Sequence, residues 1–232
     1  MPRWMIPVSC MSACRCFENG RALEARALLT GVLLAGGRGQ RMGGCDKGLV
    51  SLAGEPLIAQ GIRRLRPQVA ELLISANRHV EQYRQWGYRV ISDRMEERYR
   101  GPLAGLLAAL DVATTPYVLT APCDSPLLPP DYAARMWTAL QDAQAAVSVA
   151  YGAGSWQPVF ALVAVSVRDD LAAWLAAGEG GMKRWLQRHR PAVVVFPDQP
   201  GGWRNVNTPQ HLAQLEAEWC DLTGRPGGSS RA

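Results

Sequence analysis

The chain has 232 residues, 48% of them hydrophobic and 19% charged, which is enough to bury one substantial core. Its net charge of +5 does not mark a nucleic-acid binder: residues 1–30 and the tail from Thr223 hold most of the excess, leaving 19 basic against 18 acidic side chains between them. No apolar run is long enough for a membrane span or a secretory signal, because Arg15, Glu18, Arg21, Glu24 and Arg26 interrupt the first thirty residues.

In chain order, residues 1–30 read as a disordered leader whose Cys10, Cys14 and Cys16 match no common zinc spacing. Scattered Cys45, Cys123 and Cys220 suit reduced thiols in a cytoplasm. Strand-like runs then appear at 32–35, 69–75, 88–92, 117–121, 145–151, 158–164 and 192–196. Helical patterns fall between most of them. Over 102–113, Pro102 suits the first helical position and Leu103, Leu106, Leu107 and Leu110 form one face. Over 208–219, Thr208 caps a helix that Pro209 starts, with Leu212, Leu215 and Trp219 on its apolar side. Residues from 223 to the end read as a disordered tail. No internal repeat or linker divides residues 31–222. Strands alternating with helices imply an α/β fold, a Rossmann-like and mostly parallel sheet with helices on both faces.

The first strand-like run ends in "AGGRGQRMGGCDKG", where glycine is dense enough to turn backbone N–H groups toward one anion. It is not a Walker A loop, since Lys47 is followed by Gly48 rather than Ser or Thr, and Met42 breaks the dinucleotide pattern counted from Gly37. A flexible glycine-rich surface loop is the other reading. Lys47 and Lys183 are the only lysines among 25 basic side chains, so the amine in this loop stands out from an arginine-rich background. Arg41 and Lys47 beside loop N–H groups suit a di- or triphosphate.

Other polar residues close the following strands. Ser75 and Asn77 end the second run, Asp93 follows the third, and Asp124 follows the fourth in "APCDSP". In an open parallel sheet those ends share one edge, where ligands bind. Asp124 is read either as the carboxylate for a divalent cation or as a cap for the helix near Pro130. Asn205 and Asn207 precede the last helix, where either could reach a ligand or serve as a cap.

The segments "LLAGGRGQRMGGCDKGL", "ANRH", "VISD", "GPLAGLLAAL", "APCDSP" and "NVNTPQHL", in that order, resemble the molybdenum cofactor guanylyltransferases. The resemblance spans about residues 31–219, and its first motif is shared by the wider nucleotidyltransferase superfamily. It implies one nucleotidyltransferase domain over 31–222 that transfers GMP from GTP to the terminal phosphate of molybdopterin, with Mg²⁺ as cofactor and pyrophosphate as leaving group. It also implies a cytoplasmic enzyme that works with other cofactor-biosynthesis proteins and with recipient molybdoenzymes. By the same resemblance Leu34, Ala35, Gly36 and Gly37 contact the nucleotide, Lys47 neutralises its phosphates, and Asp93 lies in its pocket. Asp124 binds both GTP and Mg²⁺, and Asn205 and Asn207 serve the metal or the pterin phosphate. Ser75 stands where the family often has Asn, at an assumed guanine contact. A cytidylyl or sugar-phosphate transferase and a non-catalytic nucleotide-binding regulator are the alternatives.

Overall fold

The computed structural model describes residues 20–37, 45–94, 101–196 and 205–224. Its centre is a seven-stranded sheet built from β1 (Leu29–Leu34), β4 (Glu71–Ser75), β5 (Arg89–Ile91), β6 (Tyr117–Pro122), β7 (Val147–Gly152), β8 (Ser155–Ala164) and β9 (Ala192–Val195). The spatial order is β5-β4-β1-β6-β8-β7-β9. Pairing is parallel for β5-β4, β4-β1, β1-β6 and β7-β9, and antiparallel on both sides of β8. The sheet is therefore mostly parallel with β8 reversed. All seven strand-like runs read from the sequence fall in it.

Both faces of the sheet are covered, and alternation along each strand divides the core in two. Leu29 and Leu33 of β1, Leu72 and Ile74 of β4, and Leu119 and Ala121 of β6 face one cluster. That cluster takes in α2 (Leu57–Leu65), α3 (Val80–Arg84) and α5 (Tyr132–Asp142). Val32, Leu73 and Val118 face the other, with α4 (Pro102–Val112), α6 (Arg168–Ala176) and α7 (Met182–Arg188). Strands buried on both faces need near-continuous apolar sequence, which "GVLLA" and "YVLTA" supply. In α4 every residue from Leu103 to Leu110 is buried, as expected for a helix apolar all round.

A third, smaller cluster joins the hairpin of β2 (Ser51–Leu52) and β3 (Glu55–Pro56) to α8 (Pro209–Thr223) through Leu52, Leu57, Val206, Leu215 and Trp219. Thr208 caps α8 by accepting from His211 N–H at 3.2 Å, and Gly224 ends it in the left-handed conformation at φ 64°. Part of the stretch read as leader is helical. Residues 20–28 form a helix, α1, and Ala25 is 1% exposed in the first core cluster. One small buried residue among arginines and glutamates leaves little periodicity to read.

Candidate functional site

Four parallel strands end together, and short bonds hold their extensions in register. Ala35 N–H donates to Ser75 O at 2.8 Å, Cys123 N–H to Leu34 O at 3.1 Å, and Ala76 N–H to Ile91 O at 2.9 Å. Beyond these ends opens a cavity of about 280 Å³. Leu34, Pro102, Pro122 and Val159 form apolar walls, Gly36, Gly37, Gly101 and Gly105 let backbone come close, and Ser75 and Asp93 supply polar groups. An apolar slot with two convergent polar side chains suits a flat heteroaromatic ring with an attached polar sugar. At two of its walls a residue larger than glycine would force a neighbouring side chain to move. A Cβ on Gly36 would stand 2.9 Å from Asn77 Nδ2, and one on Gly105 would stand 2.7 Å from Ser75 Oγ.

Asp93 does not sit loosely at the cavity mouth. Asn77 Nδ2 donates to its Oδ2 at 2.6 Å, while Asp93 N–H donates to Asn77 Oδ1 at 3.0 Å. This two-point clamp comes from a side chain only 6% exposed, so it fixes where the carboxylate points. The neighbouring Arg78 Nη2 donates to Gly37 O at 3.2 Å and ties the same segment to the first loop.

The second half of the site is a charged cluster. Asp46 precedes a single 3₁₀ turn, Lys47–Leu49, and its Oδ1 accepts from Gly48 N–H at 3.2 Å, capping the turn. Lys47 projects from that turn and donates through Nζ to Asp124 Oδ2 at 2.9 Å and to Asn207 Oδ1 at 2.5 Å. The chain before α8 is held to the Asp124 loop by Val206 N–H donating to Asp124 O at 2.9 Å. Ser125 Oγ bonds Asn205 Oδ1 at 2.5 Å. Three segments far apart in sequence thus meet at one ammonium group.

These contacts resolve two readings that the sequence leaves open. Asp124 does not cap a helix, since α5 starts at Tyr132 behind Asp131 and the Asp124 side chain turns to Lys47. Asn207 is not the cap of α8, because Thr208 takes that place. The remaining Asp124 oxygen, Oδ1, is buried and has no hydrogen-bond partner among the described residues. An unmatched buried acceptor costs about 1–3 kcal/mol, more for a charged group, so this oxygen can take a further donor or a cation. Cys123, next to it, is no nucleophile. Burial pushes its thiol well up, with the Asp124 charge acting in the same direction, so it stays protonated at neutral pH.

A family model described as the MobA-like NTP transferase domain matches residues 31–193. The chain belongs to that family. It is 46% identical over 184 residues to a molybdenum cofactor guanylyltransferase of Shewanella sediminis (strain HAW-EB3), covering 79% of this chain and 93% of the relative. A molybdenum cofactor guanylyltransferase of Shewanella sp. (strain MR-4) is 44% identical over 187 residues, covering 81% and 94% respectively. Among solved structures, the molybdopterin-guanine dinucleotide biosynthesis protein A of Archaeoglobus fulgidus superposes with a TM-score of 0.68. Identity there is 23%, with 84% of this chain and all of that chain covered, which establishes a shared fold.

In this MobA-like transferase the residues singled out from sequence divide between the two halves of the site. Leu34, Gly36, Gly37, Ser75 and Asp93 line the cavity. Lys47, Asp124 and Asn207 make the charged cluster, with Asn205 behind it on Ser125. Ala35 is only 6% exposed, its N–H donates to Ser75 O, and it is not among the residues that line the cavity. Arg41 lies outside the described residues. Sequence reasoning passed over Gly105, Val159 and Ser125. Gly105 had a usable signal, a glycine inside a strongly apolar helix, which commonly marks a close approach. Val159 had none, because it reaches the cavity only through the reversal of β8.

Proposed function

We propose that the chain transfers the GMP part of GTP to the terminal phosphate of molybdopterin, giving a guanine dinucleotide and pyrophosphate. The observation that carries the chemistry is the buried Asp124 Oδ1, unpartnered among the described residues, beside the Lys47 ammonium group and next to a nucleoside-sized cavity. The choice of guanine and of molybdopterin is supported by the relatives, which carry that activity in their names at 44–46% identity. No observation on this chain favours a cytidylyl, sugar-phosphate or purely regulatory role.

The residues present fit a magnesium ion. A carboxylate oxygen is the hard ligand that Mg²⁺ prefers, and one such protein ligand suffices when phosphate oxygens and waters complete the shell. Asp124 would hold the ion, which when bound supplies charge neutralisation to the phosphate oxygens.

The chain's own groups account for the rest. The cavity seats the base and ribose of GTP, with Asp93 accepting from their N–H or O–H groups and Ser75 adding one hydroxyl. Lys47 keeps one of its three donors beyond those given to Asp124 and Asn207, and directs it to the triphosphate. Arg41 shares that task. The terminal phosphate of molybdopterin then attacks the α-phosphorus in line. A new P–O bond forms as the bond to the bridging oxygen breaks, and the electron pair leaves with pyrophosphate. The attacking oxygen is already anionic at neutral pH, so no general base is required, and rate comes from alignment and charge stabilisation. Asn205 and Asn207 hold the incoming phosphate side of the site. The cytoplasm, where GTP is plentiful, is the setting, with other cofactor-biosynthesis proteins and recipient molybdoenzymes as partners.

Asp124→Asn tests this. Pyrophosphate release should fall by at least about 100-fold while the melting temperature stays near that of the parent. Parental turnover at saturating Mg²⁺ would overturn the assignment of Asp124.

A further inference from the structure

Lys47 sits between two backbone positions that are both fixed by one side chain from elsewhere. Tyr83 is on α3, fully buried in the first core cluster. Its hydroxyl donates to Asp46 Oδ1 at 2.5 Å, the same oxygen that accepts from Gly48 N–H. On the other side of Lys47 the fit is tighter still: a Cβ on Gly48 would overlap the Tyr83 hydroxyl. Asp46 is itself 8% exposed, so the capping carboxylate has little water to replace a lost donor. Burial drives the Tyr83 hydroxyl far above its ordinary titration range, with the nearby Cys123 and Asp46 adding to it, so the group stays a donor.

A buried tyrosine hydroxyl ordinarily finds some partner. Here the partner is the carboxylate that shapes the turn presenting Lys47, and the ring edge lies flush against the next residue. We propose that Tyr83 is a positioning residue for the transfer reaction, acting through Asp46 to set where the Lys47 ammonium group lies. The proposal rests on the reading of Lys47 as the phosphate-contacting amine. Removing the hydroxyl leaves Asp46 held by Gly48 alone and frees the turn to shift. A displacement of about 1 Å near a reacting centre can cost up to roughly 100-fold in rate, and partial loosening correspondingly less.

The test is a double-mutant cycle on the full chain, read as kcat and KM for pyrophosphate release from GTP with Mg²⁺ and molybdopterin, with melting temperatures alongside. Tyr83→Phe, which keeps the ring, should lower kcat about 10-fold and leave KM for GTP within about twofold. Asp46→Ala, which removes the acceptor, should lower kcat at least as far, and the double variant should be no slower than Asp46→Ala alone, because both act along one path. Asp46→Ser, which keeps a capping acceptor for Gly48 N–H, is run in parallel in case the alanine variant does not fold. Parental kcat in Tyr83→Phe, with or without a lower melting temperature, would overturn the proposal. So would losses that multiply in the double variant. Lys47→Ala separates the premise from the inference: parental turnover there sinks the reading of Lys47, whereas a dead Lys47→Ala beside a normal Tyr83→Phe sinks only the role of Tyr83.

Discussion

Gly105→Ala sets helix propensity against the shape of the cavity. Gly105 lies inside α4, where alanine is favoured over glycine by about 1 kcal/mol. Its new Cβ would meet Ser75 Oγ at 2.7 Å and Leu34 Cδ2 at 2.8 Å, so both neighbours must retreat by several tenths of an ångström. Ser75 is 1% exposed and has no solvent to swing into, and both residues are cavity walls. Overpacking of this kind costs about 1–3 kcal/mol, so the net change in stability is roughly 0–2 kcal/mol, a fall in melting temperature of at most about 4–8 °C. The nucleotide feels the change more directly, because the displaced walls move into its space. A loss of about 1–2 kcal/mol in binding raises KM for GTP roughly 5- to 30-fold. Thermal denaturation and titration calorimetry with GTP, together with steady-state kinetics, read the two effects separately. A raised melting temperature with unchanged GTP affinity would refute the reasoning, since the nucleoside would then lie outside this cavity.

Lys47→Arg keeps the charge yet should cut kcat by about 100-fold, because a broad planar guanidinium cannot occupy the point that Asp124 Oδ2 and Asn207 Oδ1 converge on; parental kinetics would show that charge alone matters there. Asp170 takes hydrogen bonds from Trp185 Nε1, Arg188 Nη2 and His189 Nε2; burial pushes its pKa up, but the three donors outweigh that and hold it below the usual value. A depressed carboxylate pKa stabilises the fold above the unfolded pKa of about 3.9 and loses that contribution as pH falls through the folded value. Asp170→Asn should therefore lower the melting temperature by a few degrees at pH 7 and by less below about pH 4, and an equal shift at both would contradict the assignment.

The elements legible in the sequence were those whose burial is continuous. β1, β4 and β6 are buried on both faces and read as unbroken apolar runs, and Thr208-Pro209 and Pro102 marked helix starts by their backbone chemistry. The convergence of Ser75, Asp93 and Asp124 at one edge followed from strand direction alone. What stayed hidden turned on two small turns. Ala53-Gly54 and Ala153-Gly154 both have positive φ throughout, 51° and 84° in one and 49° and 73° in the other. Each closes a two-residue hairpin, β2-β3 and β7-β8. Alanine in place of the usual asparagine or aspartate masked both. The second hairpin reverses β8 and brings Val159 to the cavity, which strand-helix alternation does not foretell. The Asn77–Asp93 clamp and the Tyr83–Asp46 bond were hidden for a different reason, since pairing across segments leaves no periodicity to read.

Pyrophosphate release measured with each of GTP, CTP, ATP and UTP, with and without molybdopterin and Mg²⁺, tests the central claim most directly. The account predicts rapid release with GTP alone among the four, and only when both molybdopterin and the metal are present. Comparable turnover with CTP, or release from GTP that ignores molybdopterin, would contradict it.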